Sequence, residues 1–412
     1  MMAGIATLAL AYVLSQFYRS FLAVLTPALT AELGATKAQL SMASGAFFVT
    51  FALAQFAIGV SLDRYGPRRT ASILLLLGGG GGAILFSLAT APWMVIAAMG
   101  LIGLGCAPVL MASLFIFART FETARFAVLA SWMVAFGTAG NVIGAAPLAQ
   151  AAEALGWRTV MGILGVVTAA AALAILALVR DPKDPDGMGQ GTAGFDGYRE
   201  LFRMRVLWPI IPLTALNYAP ATGIRGLWSG PYLVDVYGAD SLMIGQVTFF
   251  MALAMVAGAF VYGPLDTVFR TRKWVAVVGN SVGMAAVLFL ALNVVTDIAT
   301  VTLVFIMIGL TGGSYGLLMA HARAFLPPHL IGRGVTMMNF FSIGGVGAMQ
   351  FATGGVVTAS AVPGDPSAAY SALFWFYVAT LGVAIIIYLW SRDARPEPTP
   401  AKETQSKVER RR

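Results

Sequence analysis

Apolar residues in this chain neither alternate nor recur on one helical face; they run on. Mostly apolar blocks follow one another from Ile5 to Trp390, separated by short polar links. A helix needs about 20 such residues to cross a bilayer. Twelve blocks reach that length: 4–30, 38–62, 70–90, 92–118, 126–150 and 157–179, then 207–236, 242–265, 274–296, 298–320, 334–358 and 369–391. We number them spans one to twelve. Spans three and four meet at Ala91 and Pro92, a link short enough to require an antiparallel hairpin. The first block has no basic stretch before it and no small-residue cleavage site after it, so it reads as a retained helix, not a signal peptide.

The polar stretches divide the chain. Residues 180–206, with Asp-Pro-Lys-Asp-Pro-Asp-Gly at 181–187 and the bases Arg199, Arg203 and Arg205, read as a linker. Residues 392–412, charged and ending in three arginines, read as a disordered tail near anionic lipid headgroups. This leaves 1–179 and 207–391 as two bundles of six helices each. The halves also repeat each other. Pro27 and Gly34 match Pro231 and Gly238, Gly59 matches Gly263, Leu110-Met111-Ala112-Ser113 matches Leu318-Met319-Ala320-His321, and Arg125 matches Arg333. The expected architecture is an all-α membrane protein of twelve helices in two pseudo-symmetric bundles, its site near the midplane between them.

Composition agrees: 58% of residues are hydrophobic and 11% charged, against roughly 25% charged in soluble chains. The net charge of +8 does not signal nucleic acid, because the bases lie in short loops and not on one face. With both termini cytoplasmic, only Lys37 and Arg158 of the 26 basic residues face outward, and only Arg19 and Arg225 lie within the membrane. The positive-inside rule selects that orientation. The single cysteine, Cys106, excludes an internal disulfide and reads as a small buried apolar residue. The five glycines 78–82 lack the Lys-Ser/Thr of a phosphate loop and read as tight helix packing. No metal, cofactor or nucleophile constellation stands out, so an enzyme is not expected.

Arg19 and Arg225 are the informative charges. Each falls mid-way along its block, in spans one and seven, which are equivalent in the repeat. A charge at mid-bilayer costs on the order of 2.5–3.5 kcal/mol. All 18 acidic residues fit in loops, at span ends or in the tail, so neither arginine has an evident counter-ion. The missing negative charge would then arrive with a ligand, gripped in bidentate fashion as only guanidinium can. Tyr18, Tyr218, Asn141 and Trp228 are further candidates for that site. Gln16, Gln55, Asn217, Tyr315 and Asn339 are polar residues that could line a cavity or join helices. His321, toward the cytoplasmic end of span ten and two residues before Arg323, has an ordinary pKa that suits proton coupling.

Each half also carries a charged loop. Gly59-Val-Ser-Leu-Asp63-Arg64-Tyr-Gly66-Pro-Arg68-Arg69 joins spans two and three; Gly263-Pro-Leu-Asp266 with Arg270, Arg272 and Lys273 joins spans eight and nine. In each, an acid at a helix end can pair with an arginine or cap a neighbouring helix and so latch one conformation. The Gly-x-x-x-Asp-Arg-x-Gly-x-Arg-Arg loop in a duplicated twelve-span chain resembles the major facilitator superfamily, from span one to span twelve. Leu227-Trp-Ser-Gly-Pro-Tyr-Leu233, Gly156-Trp-Arg158 and His321-Ala-Arg-Ala-Phe-Leu-Pro327 resemble its bacterial organic-anion and sugar-phosphate permease-like branch.

That resemblance implies a secondary transporter working by alternating access, in a bacterial inner membrane. It implies a small anionic substrate (carboxylate or phosphate ester), a coupling proton or counter-substrate, lipid contacts and a monomer. In the branch it resembles, arginines on spans one and seven bind the substrate's charge, a role that falls on Arg19 and Arg225. Two departures bear on the alternative of a drug or metabolite efflux antiporter: Met99 stands where many relatives carry an arginine in span four, and span five lacks the full Gly-Pro pattern. A transporter-like sensor is the third reading.

Overall fold

The computed structural model describes residues 2–181, 196–294, 297–327 and 330–394, and of residues 63, 123, 124, 127, 131 and 196 the backbone alone. Among these, nine helices are long and apolar enough to cross a membrane, and two bent pairs raise the number to eleven. Span seven completes the twelve as Ile210–Gly223, a π-helical turn Ile224–Trp228 and Ser229–Tyr237. Nearly every described residue between the loops is helical, which is the only way besides a closed barrel to satisfy backbone groups in lipid.

Local chemistry sets the helix ends. Thr36 and Gln39 form a reciprocal capping box at the start of span two, Lys37–Tyr65. Asp240, Asp297 and Asp365 cap spans eight, ten and twelve, each accepting a backbone N–H at 2.8–3.0 Å. Gly34 and Gly238 end spans one and seven with the same left-handed φ of 64°, so the repeat extends to the caps. The glycine run behaves as packing: span three widens into a π-helical segment Leu75–Gly80, and a Cβ on Gly105 would lie 2.0 Å from the Gly79 nitrogen.

Span one departs from the uninterrupted helix expected over 4–30. It consists of Met2–Phe17 and Leu22–Leu33, bent by 54° at residues 18–21. There the Arg19 and Ser20 N–H groups bond only three residues back, to Gln16 and Phe17, and the Ser20 hydroxyl reaches back to the Phe17 carbonyl. The helix tightens, stops and restarts at the level of Arg19. Span five bends likewise, by 45°, between Val128–Ile143 and Ala146–Leu155.

Two polar stretches are more structured than expected. The linker contains a helix, Asp196–Arg203, whose Tyr198 ring lies 5.2 Å from Phe56 of span two. Just past span twelve, the Asp393 carboxylate accepts from the Thr271 hydroxyl at 2.6 Å and the Lys273 N–H at 3.0 Å, capping span nine. Asp181, just past span six, accepts the Arg68 N–H at 2.9 Å and caps span three in the same way. An Arg-Asp pair at 180–181 and again at 392–393 thus closes each half; the repetition is visible in the sequence, but its role was not anticipated. Residues 182–195 of the linker and 395–412 of the tail lie outside the described residues.

Candidate functional site

A cavity of about 490 Å³ lies between the halves. Its wall runs from Arg19 at the bend of span one to Asp266 and Ala320, near the loop between spans eight and nine that Asp393 caps. Toward the opposite face spans one and seven close on each other, beside a separate recess of about 320 Å³ lined by Glu32, Glu153 and Asp240. A Cβ on Gly230 would come within 2.3 Å of the Ala23 carbonyl oxygen, so the outer parts of spans one and seven touch backbone to backbone. Lys37 at the start of span two pairs with Asp235 at the end of span seven, and Tyr370 of span twelve also donates to Asp235.

Spans one and seven cross at the level of the two arginines. A Cβ on Gly226 would lie 2.9 Å from the Arg19 carbonyl oxygen, so only glycine permits the crossing. Arg19 lines the cavity, and the Phe51 ring covers one face of its guanidinium at 4.5 Å. Arg225 is 1% exposed and sits behind the cavity wall. Its Nη2 donates to Asn141 Oδ1 at 3.0 Å, while its Nε and Nη1 have no partner. Span five brings Asn141 there because it lies against span one with no side chain between: a Cβ on Gly140 would fall 2.0 Å from the Val13 carbonyl oxygen. Among the described residues, no carboxylate pairs with either arginine.

That contact fixes the orientation of the Asn141 amide. Guanidinium has only donors, so the asparagine must turn its oxygen to Arg225 and its NH₂ away, on a residue that lines the cavity. Around this point Gln16 Nε2 donates to Tyr12 Oη at 2.9 Å, which leaves the Tyr12 proton free to donate. Tyr315 donates to Asn339 Oδ1 at 2.7 Å, which leaves the Asn339 NH₂ free. Tyr218 stands beside Tyr315, their rings 5.4 Å apart. One end of the cavity is therefore rich in donors, with the buried Gln16 Oε1 as an unsatisfied acceptor among them.

The structure sorts the expected site residues. Arg19, Tyr218 and Asn141 line the cavity, and Arg225 stands behind Asn141. Tyr18 and Trp228 do not line it. Tyr18 is fully buried and bonds Thr168 of span six at 2.9 Å. Trp228 donates at 3.0 Å to both Gln350 Oε1 and Thr353 Oγ1 of span eleven, and Gln350 passes the network to Ser44 of span two. Asn217 joins helices through Asn280 and Ser314 and also stays off the cavity. Tyr12 was missed, although it sits seven residues before Arg19 and thus on the same helix face.

His321 is fully buried and off the cavity wall. Its Nε2 meets the Arg392 carbonyl at 2.9 Å and its Nδ1 the Tyr388 hydroxyl at 2.5 Å. A carbonyl only accepts, so Nε2 carries the proton and Nδ1 accepts from tyrosine. Both nitrogens are engaged in a joint between spans ten and twelve, off the cavity wall.

Among the described residues, the hydrogen bonds and ion pairs of the charged loops stay within their own halves. Arg272 Nε donates to Asp266 Oδ2 at 3.0 Å across the loop between spans eight and nine. Arg68 Nε donates to the Leu176 carbonyl, Arg64 lies over the Tyr65 ring, and Arg69 is exposed. Arg270 is exposed and ends span eight in a left-handed conformation, φ 54°. The Asp63 side chain lies outside the described residues. Asp266 was expected at a helix end only; it also lines the cavity.

The sequence matches the model of the Major Facilitator Superfamily over residues 8–349. The chain therefore belongs to that superfamily and is a multi-pass membrane transporter of the alternating-access kind. No curated protein sequence is significantly similar to it. Among solved structures it is similar to a bacterial homologue of the human lysosomal transporter Spinster in an inward-facing, occupied conformation. That match has a TM-score of 0.76 at 18% identity and covers 96% of this chain and 98% of that one. It is also similar to a D-xylose–proton symporter, with TM-score 0.74, 12% identity and 95% and 97% coverage. The nucleoside transporter NupG matches with TM-score 0.73, 14% identity and 94% and 98% coverage. At these identities the likeness is one of fold.

Proposed function

We propose that the protein carries a small organic anion across the bacterial cytoplasmic membrane. The observation that supports this most is the donor-rich end of the cavity. Arg19 and Asn141 line it, and Arg225 fixes which way the Asn141 amide points. Two permanent cations at membrane depth without a protein carboxylate gain most from a negatively charged partner. Binding would neutralise them and allow the bundles to rock around the filled site. With the termini cytoplasmic, as the distribution of Lys and Arg favours, the form described here opens inward and is sealed outside by Lys37–Asp235 and the Gly230–Ala23 contact. The architecture is sufficient as a monomer, with residues 1–179 and 207–391 as its moving halves.

Proteoliposome uptake tests the proposal. Arg19→Ala should abolish, and Arg225→Ala should strongly reduce, uptake of every accepted anion. If both leave uptake unchanged, the site is misassigned. A second reading, proton-driven export of a neutral or cationic compound, draws on Asp266, a carboxylate on the cavity wall. The pairing of Asp266 with Arg272 weighs against it.

A further inference from the structure

Building on the anion reading, we infer that the cargo is a monoanion with an apolar body, a monocarboxylate on an aromatic or aliphatic frame, and not a sugar phosphate or dicarboxylate. The first argument is charge. Among the described residues, only one guanidinium is open to the cavity. Arg19 lines it, whereas Arg225 is 1% exposed and acts through the Asn141 amide. One carboxylate can meet the edge of Arg19 with one oxygen and the Asn141 NH₂ with the other. A second negative charge would have no exposed cation to meet, because the Arg272 charge further along is already paired with Asp266.

The second argument is shape. Phe51 covers one face of the Arg19 guanidinium at 4.5 Å, which leaves its edge for the ligand. A planar carboxylate suits that approach, one oxygen in the plane of the guanidinium and the other on the Asn141 NH₂. A phosphate ester brings a third charged oxygen out of that plane.

The third argument is the wall beyond the head. Leu110 and Met111 of span four, Met255 and Val256 of span eight, and Ile343 of span eleven form it. Two of the polar groups among them are engaged, while the Gln55 amide and the Tyr262 hydroxyl, also on the wall, have no hydrogen-bond partner among the described residues. The Thr138 hydroxyl bonds the Ala135 carbonyl of its own helix at 2.5 Å, and Asp266 is held by Arg272. Gln55 and Tyr262 can meet at most a few hydroxyls; the other hydroxyls of a sugar, set against the apolar side chains of this wall, would lose water without gaining partners, each weakening binding by about 10-fold. An apolar frame meets no such penalty, and about 490 Å³ is ample for one or two rings.

The test uses purified full-length protein, thermal-shift titration and proteoliposome uptake. The probes are benzoate, phenylacetate and hexanoate, compared with acetate, succinate and glucose 6-phosphate. The apolar-bodied monocarboxylates should bind at least about 10-fold more tightly than acetate and succinate. Arg19→Ala should remove that binding, whereas Arg19→Lys, which keeps the charge, should retain part of it. Val256→Asn should reduce the preference for phenylacetate over acetate by about 10-fold. Met111→Gln provides the same test should Val256→Asn not fold. If glucose 6-phosphate or succinate binds more tightly than the monocarboxylates and depends on Arg19, this inference is overturned while the anion site stands. If no probe depends on Arg19, both fall.

Discussion

The Asn141 side-chain oxygen accepts a hydrogen bond from the buried Arg225 guanidinium at 3.0 Å, and this one contact links a hidden charge to the cavity. The cation need not touch a ligand to influence it. It fixes the amide, and the amide presents its donors. Asn141→Asp would pair Arg225 with a carboxylate and set a negative charge at the anion site. Binding of any anion should weaken by about 10- to 100-fold. The melting temperature should not fall, because the guanidinium keeps a partner. Titration of the variant beside wild type decides the matter; unchanged affinity would detach Asn141 from the site.

Gly230 has room only for hydrogen against the Ala23 carbonyl. Gly230→Val should prevent the outer halves of spans one and seven from closing, at a cost of about 1–3 kcal/mol to this conformation. Net flux should stop while the outer side becomes more accessible. A cysteine introduced at Ala23 should then react faster with an impermeant thiol reagent; no change would mean that this contact is not part of the seal.

Lys37 and Asp235 form a partly exposed ion pair across the bundles, with side chains 39% and 27% accessible. Such a pair is worth about 0–1 kcal/mol. Asp235→Asn should therefore shift the balance between outward and inward forms by no more than about fivefold, with a smaller effect at high salt. Labelling at the Ala23 cysteine, compared at low and high salt, measures this. A shift of 100-fold would show that Tyr370 and the rest of the outer seal depend on the same carboxylate.

His321 and Tyr388 are both fully buried, and removing one leaves the other short of a partner. Tyr388→Phe should lower stability by about 1–3 kcal/mol. The pH profile of uptake should keep its midpoint, since the pair lies off the cavity. A displaced midpoint would restore His321 as a coupling residue.

Asp393 caps span nine from just beyond span twelve. Burial acts to raise its pKa, but the Thr271 hydroxyl, the Lys273 N–H and the nearby His321 overcome that and hold it below the ordinary carboxylate value. The unfolded chain therefore takes up this proton at a higher pH than the folded one. The stabilisation is complete above the unfolded value of about 3.9 and is lost as pH falls through the lower folded value. Asp393→Asn should melt at a lower temperature than wild type at pH 7, and the gap should close toward pH 3. A gap independent of pH would assign the effect to packing.

Some of this was legible in the chain because the physical constraint is one-dimensional. The apolar blocks give the spans, because about 20 residues must be apolar to cross lipid. Arg19 and Arg225 stood out because charge at that depth is costly in any fold. Tyr18 and Trp228 mark the limit. Adjacency to Arg19 says little about Tyr18, because neighbouring residues point about 100° apart on a helix and span one also breaks there. Trp228 ends a π-helical turn, whose extra residue changes the rotation of the helix and sends the indole to Gln350.

The sequence alone determined that this is a duplicated bundle of membrane helices with two arginines at equivalent depths, because hydropathy and charge act on each segment separately. Tertiary structure decided that Arg19 lines the cavity, that Arg225 bonds Asn141 behind its wall, and that His321 bonds Tyr388 and the Arg392 carbonyl. Those outcomes depend on helix rotation and on close approaches at Gly140, Gly226 and Gly230, where two distant segments share the space of a missing side chain. Such contacts leave only a glycine in the sequence, and a glycine does not name its partner.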